Sequence, residues 1–484
     1  MTALIIILCL LGVVVLLLLV AVVRALAAKR PLPNATPPPL DEAAAAGYAQ
    51  RLSRMIQYET VNTPGEGPEV LRARFEGFIA VLAGCYPRVF NQLERIELPE
   101  ALLLRWRGKD STRGAILLMA HSDVVPATGA WQYPPFSGTI ADNKVWGRGT
   151  IDIKNGLCAI LESAEALLGQ GFVPACDVYI ESSFNEESMG PGAIGARDWF
   201  VENNIPLDIV SDEGGFVTDQ PMPGLAPGWY AMLGLTEKGY VNLRFTANSH
   251  GGHASTPYKG NPMARLARFI CAVEKKPPFT SRISSPVKEC FDALVPYMRF
   301  PTRLLLANRW LFTPYILWHY PRTSPHMAAL LRTTCVFTMG TASPAPNVIP
   351  ATASVTANLR PIMHQDAEAS IAAMRAMAAR YGLETEVLYA RGVSPLSNIE
   401  APAYAYLAQL AAALFPEAVV APYIMLGGTD SRHFSTLCPV TLRFGPFFVS
   451  HTQHAGMHGL NEYIDIPSLA RGVGFYAQLL TGWA

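Results

Sequence analysis

The chain has 484 residues, 50% of them hydrophobic, which is enough apolar material for two or three domains with substantial cores. Lys and Arg balance Asp and Glu at 38 each, so no net positive charge attracts a polyanion, and nucleic acid is not an expected partner. The eight cysteines include no C-x-x-C pair, and seven lie outside the apolar N-terminus, which argues against a disulfide framework or a thiolate zinc site.

The first predicted element is an apolar segment over residues 3–23, ALIIILCLLGVVVLLLLVAVV, which contains no charged residue. At about 1.5 Å per residue, a helix of this length crosses a hydrocarbon core of about 30 Å. A cleaved signal peptide is the alternative, but the run is long for one and no basic stretch precedes it. We therefore expect a single-pass membrane anchor. Arg24, Lys29 and Arg30 follow it, and basic residues that flank a span usually stay on the cytoplasmic side. Three residues are a weak signal, so the rest of the chain is expected on either side of the membrane.

A proline-rich segment, PLPNATPPPL over residues 31–40, follows the anchor and predicts a stiff, extended linker. Beyond it, the apolar run GAILLMA ends at His121, VYIESSF ends at Asn185, and LDIV ends before Ser211. A helical pattern, DIKNGLCAILESAEALLGQG, lies between the first two runs. Buried strands that alternate with amphipathic helices predict an α/β domain with a mainly parallel sheet, built from residues 41–235 and 386–484.

Residues 236–385 differ in pattern and predict a second, smaller α+β domain inserted into the first. YVNLRFTAN and TASVTANLRP alternate apolar and polar residues, as half-exposed antiparallel strands do, and EASIAAMRAMAARYG predicts a helix. Residues 278–335 form an aromatic, proline-rich insert within this region. It is either extra core or a dimer contact, or else an apolar wall for a substrate or a surface that faces a membrane.

Polar residues with metal-binding chemistry follow the predicted strands. They are His121, Asp123, Asp152, Glu186, Glu187, Asp212, Glu213 and His458. Each alone has a plain structural explanation, but a parallel sheet brings the ends of its strands to one edge, where ligands bind. Imidazoles and carboxylates suit zinc, manganese or cobalt, and two close ions need a carboxylate that bridges them. With one glutamate of the adjacent pair on a metal, the other is free to deprotonate a water.

Seven motifs in order, HSDVVP, GRGTIDIKNG, NEES, SDEGG, GGHAST, NVIP and HGLNE, resemble the M20 metallopeptidase/aminoacylase family. The resemblance covers the chain from about residue 45 to 484 and is strongest to the branch of carboxypeptidase S and the N-fatty-acyl-amino-acid synthase/hydrolase. It implies a di-metal hydrolase domain with an inserted lid or dimerisation domain. One departure is Asn185, because many relatives have aspartate before the two glutamates.

The resemblance also implies a role for each matching residue, with two zinc ions per chain, or manganese or cobalt in their place. His121 and either Asp212 or Glu213 bind one ion, Glu187 and His458 bind the other, and Asp152 bridges them. Asp123 orients His121, and Glu186 is the general acid and base. In the smaller domain, His253 binds the developing oxyanion, with action across a homodimer as one option, and Asn347 and Arg360 hold the substrate carboxylate.

The activity implied by these roles is hydrolysis of an amide bond beside a free carboxylate. The expected substrates are N-acyl amino acids with an apolar acyl chain, and cleavage of C-terminal peptide bonds is the alternative. A catalytically inactive metal-binding module is a remote third option, and the presence of Glu186 argues against it.

Overall fold

The computed structural model describes residues 1–63 and 65–484. Its helices are α1 (Thr2–Ala27), α2 (Glu42–Gln57), α3 (Pro68–Cys85), α4 (Pro87–Gln92), α5 (Lys154–Gly169), α6 (Gly192–Glu202), α7 (Pro262–Lys275), α8 (Val287–Leu294), α9 (Phe300–Ala307), α10 (Arg309–Thr323), α11 (Pro325–Leu331), α12 (Ala367–Ala379), α13 (Pro402–Leu414), α14 (His451–His454) and α15 (Ile466–Gly482). Its strands are β1 (Glu94–Glu97), β2 (Ala101–Trp106), β3 (Ala115–Met119), β4 (Thr139–Ala141), β5 (Lys144–Trp146), β6 (Val178–Ser183), β7 (Leu207–Thr218), β8 (Trp229–Glu237), β9 (Tyr240–Asn248), β10 (Gly252–His253), β11 (Thr334–Thr341), β12 (Val348–Ile349), β13 (Thr352–Arg360), β14 (Glu384–Arg391), β15 (Ala418–Met425), β16 (Thr441–Phe448) and β17 (Tyr463–Asp465).

The central sheet has eight strands in the order β1-β2-β6-β3-β7-β16-β8-β15. Strand β3 pairs in parallel with β6 and β7, β16 pairs in parallel with β7, and β15 with β8. Strands β1 and β2 are antiparallel to their neighbours at one edge. Strand β8 is also antiparallel to β16 and β7, so the prediction of a mainly parallel sheet is confirmed and both edges make the sheet mixed.

Both faces of the central sheet are covered, which explains why its strands are apolar throughout rather than alternating. In β3, Ile116 and Leu118 belong to the core cluster that includes α5 and α15, whereas Leu117 and Met119 pack with Phe200 of α6 on the other face. All five side chains are at most 1% exposed. Helices on both faces leave the carboxyl edge of the sheet as the place where polar side chains collect.

A second sheet of four antiparallel strands, β11-β13-β9-β14, follows β8 along the chain. Strand β9 alternates buried and half-buried residues, as its sequence predicts, and its buried face packs against α7 and α12. The sheet starts at Tyr240 and ends with β14 at Arg391, so the predicted boundary at residue 385 falls inside β14. The role of this unit as a lid stays a prediction.

The insert packs differently from the prediction, which placed residues 278–335 with the second domain. Phe291 and Leu294 of α8 and Leu330 of α11 form one core cluster with Met232 of β8 and Ala421 of β15. These two strands lie at the edge of the central sheet and need an apolar cover, which the insert provides. The insert is thus part of the core of the larger unit.

Helix α1 is exposed along most of its length, and only Ala21 and Ala25 of it are buried. Its most apolar window has a mean hydropathy of 3.6, and within residues 1–63 and 65–484 it is the one helix long and apolar enough to cross a membrane. An N-terminal signal sequence also satisfies these criteria of length and composition. Residues 31–40, the predicted linker, form neither helix nor strand.

Candidate metal centre

Three neighbouring strands bring the predicted metal-binding residues to one edge of the central sheet. His121 lies two residues beyond the end of β3, and Glu186 and Glu187 lie just beyond the end of β6. Because β3 pairs in parallel with both β6 and β7, these ends share an edge with Glu213 of β7. Asp152 comes from the loop before α5, and His458 from the loop after α14.

The structure gathers five of these side chains into two groups that could each hold a metal ion. His121, Asp152 and Glu213 form one group, and Asp152, Glu187 and His458 form the other. Within each group the potential ligand atoms all lie within 4.8 Å of one another. Imidazole nitrogens and carboxylate oxygens in sets of three suit zinc and similar divalent ions.

Asp152 belongs to both groups because its two oxygen atoms face different imidazoles. Its Oδ1 lies 3.2 Å from Nε2 of His121, and its Oδ2 lies 2.8 Å from Nε2 of His458. The outer carboxylates complete the groups, with Glu213 Oε1 at 3.6 Å from Nε2 of His121 and Glu187 Oε1 at 3.2 Å from Nε2 of His458. A carboxylate placed in this way is suited to bridging two ions.

The electrostatics of the centre favour cations. Burial, reinforced by the charges of neighbouring acids, raises the pKa of the Glu213 carboxyl and that of Glu186 well above the ordinary value. Hydrogen bonds that His458 donates to the Asp152 and Glu187 carboxylates raise the pKa of its imidazole to about 10. Carboxylates outnumber imidazoles, so bound cations would neutralise a charge excess that the protein alone leaves uncompensated.

Asp123 connects the two halves of the centre. Its backbone carbonyl lies 3.0 Å from Nδ1 of His121, and its Oδ1 lies 3.3 Å from the same nitrogen. Its carboxylate also accepts hydrogen bonds from the backbone N–H groups of Glu186 and Glu187, each at 3.1 Å. Asp123 therefore orients the imidazole and fixes the loop that carries both glutamates.

The two adjacent glutamates have different surroundings. Glu187 lies beside His458 in the second group. In the part of the chain that the structure describes, the Glu186 carboxylate receives no hydrogen bond and belongs to neither group. Glu186 is thus held close to the centre by its backbone while its carboxylate is left available.

Asp212 and Glu213 are separated by the geometry of β7. Successive side chains of a strand point to opposite faces, and the structure places Glu213 with His121, whereas the Asp212 carboxylate accepts a hydrogen bond from the Ser431 N–H at 2.8 Å. The prediction that this strand ends before Ser211 was wrong. Strand β16 continues to pair with β7 as far as these acids, and Gly214, at a φ of 145°, lets the strand continue beyond them.

Asn185 has a structural explanation that its sequence did not suggest. Its side-chain N–H donates to the Glu100 carboxylate, and its Oδ1 accepts a hydrogen bond from Gly192 N–H at 3.0 Å. Aspartate cannot donate, and it would place a second negative charge against Glu100. An asparagine at this position can therefore pair with Glu100, whereas an aspartate would repel it.

Glu462 is a supporting residue that sequence reasoning missed, although it stands inside the HGLNE motif. Its buried carboxylate accepts from Arg148 at 2.6 Å and from the N–H groups of Ile151 at 2.7 Å and Asp152 at 3.2 Å. It thereby joins the loop of Asp152 to the segment that carries His458. The sequence signal that could have identified Glu462 was its position, a charged residue four positions after the predicted ligand His458.

The three residues predicted from the smaller domain lie apart from this centre. His253 pairs with Val348 in the β10–β12 ribbon, which places it beside Asn347, whose carbonyl accepts from Ala254 N–H at 2.9 Å. Arg360 ends β13, with its guanidinium 4.5 Å from the ring centre of Tyr240. Across residues 1–63 and 65–484, no hydrogen bond or ion pair joins these three to the two metal-binding groups.

The chain is similar in sequence to known proteins. A family model described as Peptidase family M20/M25/M40 matches residues 117–482. Probable carboxypeptidase S-like 2 of Dictyostelium discoideum is 33% identical over 441 residues, which cover 89% of this chain and 84% of the relative. N-fatty-acyl-amino acid synthase/hydrolase PM20D1 of Homo sapiens is 33% identical over 378 residues, covering 77% of this chain and 75% of the relative.

Solved structures extend the comparison to the fold. Human carnosine dipeptidase 1 superposes with a TM-score of 0.62 at 15% identity, covering 92% of this chain and 99% of that one. The metallo-carboxypeptidase Sso-CP2 from Sulfolobus solfataricus gives a TM-score of 0.65 at 16% identity, covering 90% and 99%. At such identities the likeness establishes the shared fold.

Proposed function

The chain belongs to peptidase family M20/M25/M40, and from that premise we propose that it is a membrane-anchored di-zinc hydrolase that cleaves the amide bond beside a free carboxylate. The observation that carries the proposal is the position of Asp152, whose two oxygens face the imidazoles of two separate ligand groups. Manganese or cobalt would fit the same nitrogen and oxygen donors.

The residues of the centre divide into ligands and supports. One ion would be held by His121, Asp152 and Glu213, and the other by Asp152, Glu187 and His458. When bound, the ions would supply positive charge for the developing oxyanion and lower the pKa of the attacking water. Glu213 is preferred over Asp212 because the Asp212 carboxylate is engaged by the Ser431 N–H.

Glu186 would act as the general base and then as the general acid. It takes a proton from the attacking water and returns it to the leaving amine, which requires a carboxylate close to the reacting atoms but not fixed as a ligand. Its backbone N–H is held by Asp123, which positions the side chain without occupying it. Asp123 would in addition set the tautomer of His121.

Substrate recognition is assigned to the smaller unit. Arg360, at the end of β13, would bind the free carboxylate of the substrate through its planar fork, and Asn347, beyond the other end of β13, would make a second contact to the substrate. His253 would donate a hydrogen bond to the oxyanion. Its Nδ1 is 2.7 Å from the Ser255 hydroxyl, which leaves Nε2 for this contact. These residues would reach the centre by closure of the unit or from a second copy in a homodimer.

N-acyl amino acids with an apolar acyl chain are the preferred substrates, since a human relative at 33% identity is named an N-fatty-acyl-amino acid synthase/hydrolase. An enzyme held at a membrane by α1 would also meet such amphiphiles at high local concentration. Carboxypeptidase or dipeptidase action is the second candidate, because a relative of equal identity is named carboxypeptidase S-like.

The test is a comparison of Glu186→Gln with Glu187→Gln in the zinc-loaded protein, using a fatty-acyl amino acid, a short-acyl amino acid and a dipeptide. We expect Glu186→Gln to keep its metal content while hydrolysis falls by about 10²–10⁴-fold, since only the base is lost. Glu187→Gln should lose one of the two ions. Full turnover by Glu186→Gln would contradict the assigned role, and equal rates on all three substrates would contradict the preference for acyl amino acids.

A further inference from the structure

The insert contacts the C-terminal end of α1 through two hydrogen bonds. Arg303 Nε in α9 donates to the Ala25 carbonyl at 2.8 Å, and Asn308 Nδ2, at the start of α10, donates to the Ala21 carbonyl at 2.8 Å. Ala21 and Ala25 are 0% exposed, and both polar side chains are buried. Helices α9 and α10 therefore hold a fixed position relative to α1.

That position places α10 at the boundary of the bilayer. The apolar span covers residues 3–23, and about 20 helical residues cross the hydrocarbon core. Ala21 thus lies where hydrocarbon meets headgroups. Asn308 contacts Ala21 directly, and α10 starts at the next residue.

The outer face of α10 has the residues that membrane interfaces favour. Trp310, Tyr315 and Trp318, named here the aromatic face, are 54%, 43% and 57% exposed. At 3.6 residues per turn they fall within an arc of about 140°. Ile316, on the opposite side of the helix, is fully buried against the core. Trp and Tyr are enriched at the level of lipid headgroups, since their rings are apolar and their tips are polar.

The charge of this region matches an anionic lipid surface. No acidic residue occurs in the sequence between Asp292 and Asp366. Lys29, Arg30 and Arg299 line a cavity of about 400 Å³ where α1 meets the insert. Basic side chains close to a bilayer are attracted by the phosphates of its headgroups.

We propose that the aromatic face of α10 lies in the membrane–water interface and binds a phospholipid bilayer, giving the enzyme a second membrane contact beside α1. A phospholipid surface accounts together for the exposed aromatic residues, the missing acids and the direct contact with the end of an apolar span. The proposal rests on α1 as the anchor, which is part of the proposed function.

The test uses the full chain reconstituted in nanodiscs that contain phosphatidylglycerol and a phosphatidylcholine brominated near its headgroup. Bromine quenches tryptophan only at close range. We expect the tryptophan fluorescence lost to bromine to be at least about twofold smaller in Trp310→Phe/Trp318→Phe than in the wild type, because this variant lacks the two tryptophans placed in the interface. The matched control, Trp131→Phe/Trp199→Phe, should lose the same absolute amount of fluorescence to bromine as the wild type.

Equal quenching of the wild type and the Trp310→Phe/Trp318→Phe protein would overturn the proposal. So would an unquenched wild type in which the aromatic face cross-links to a second copy of the chain. Carbonate extraction tests the anchor separately, because a wild type released by carbonate contradicts α1 as a span. A chain that stays in the membrane but shows no quenching contradicts only the second contact. Hydrolysis measured in detergent reports on the metal centre independently of both.

Discussion

The edge of the central sheet and the β10–β12 ribbon of the smaller unit carry two halves of one proposed active site, yet they are built differently. At the sheet edge, His121, Asp152 and Glu213 are fixed by one another and by supports such as Asp123. On the ribbon, the His253 side chain is exposed, and its ring hydrogen-bonds with Ser255 of its own turn. The first set is organised before a substrate arrives, whereas in the proposed function the second would gain its contacts from a substrate or a partner.

The largest effect that separates the two regions is expected at His253. Replacing His253 with Ala would remove the proposed donor to the oxyanion and should lower kcat by about 10²–10³-fold. Because the side chain is exposed and remote from the ligands, the metal content and the Tm should stay at the wild-type values. Loss of metal in this variant, measured by plasma mass spectrometry, would contradict the division between the two regions.

A smaller effect is expected at Asp123, on the rigid side of the comparison. In Asp123→Asn an NH₂ group replaces one carboxylate oxygen. The side chain then has one acceptor oxygen and can no longer accept separately from the N–H groups of Glu186 and Glu187. Loss of such a supporting contact typically costs about 10–100-fold in metal affinity or activity. Here, in contrast to His253→Ala, metal titration should show weaker binding. Unchanged affinity for metal would show that the imidazole keeps its orientation without Asp123.

The predictable part of the site was the part set by local sequence. The apolar runs before His121 and Glu186 each end where the chain leaves a buried strand, so a parallel sheet alone brings the two positions together. The motif around Asp152 was equally readable, because a helical pattern follows it directly. The relation to the family, which these motifs predicted, was confirmed by the match to the family model.

The features that sequence reasoning missed depend on contacts between distant segments. Strand β7 continues through Asp212 and Glu213 because β16, more than 200 residues later, pairs with it. The insert covers β8 and β15 rather than the second sheet, since an exposed apolar edge elsewhere in the fold decides its place. Asn185 makes sense only beside Glu100. None of these partners can be identified from a local pattern.

The central claim is that Asp152 is shared by two metal ions, and the most direct measurement is the metal content of Asp152→Asn after zinc loading. The wild type should hold about two ions per chain, as a bridged pair requires. Asp152→Asn should hold fewer than one, because both ligand groups lose a member. Asp212→Asn is the matched control, since its amide oxygen can still accept from the Ser431 N–H, and it should keep both ions. Two ions retained by Asp152→Asn would contradict the account.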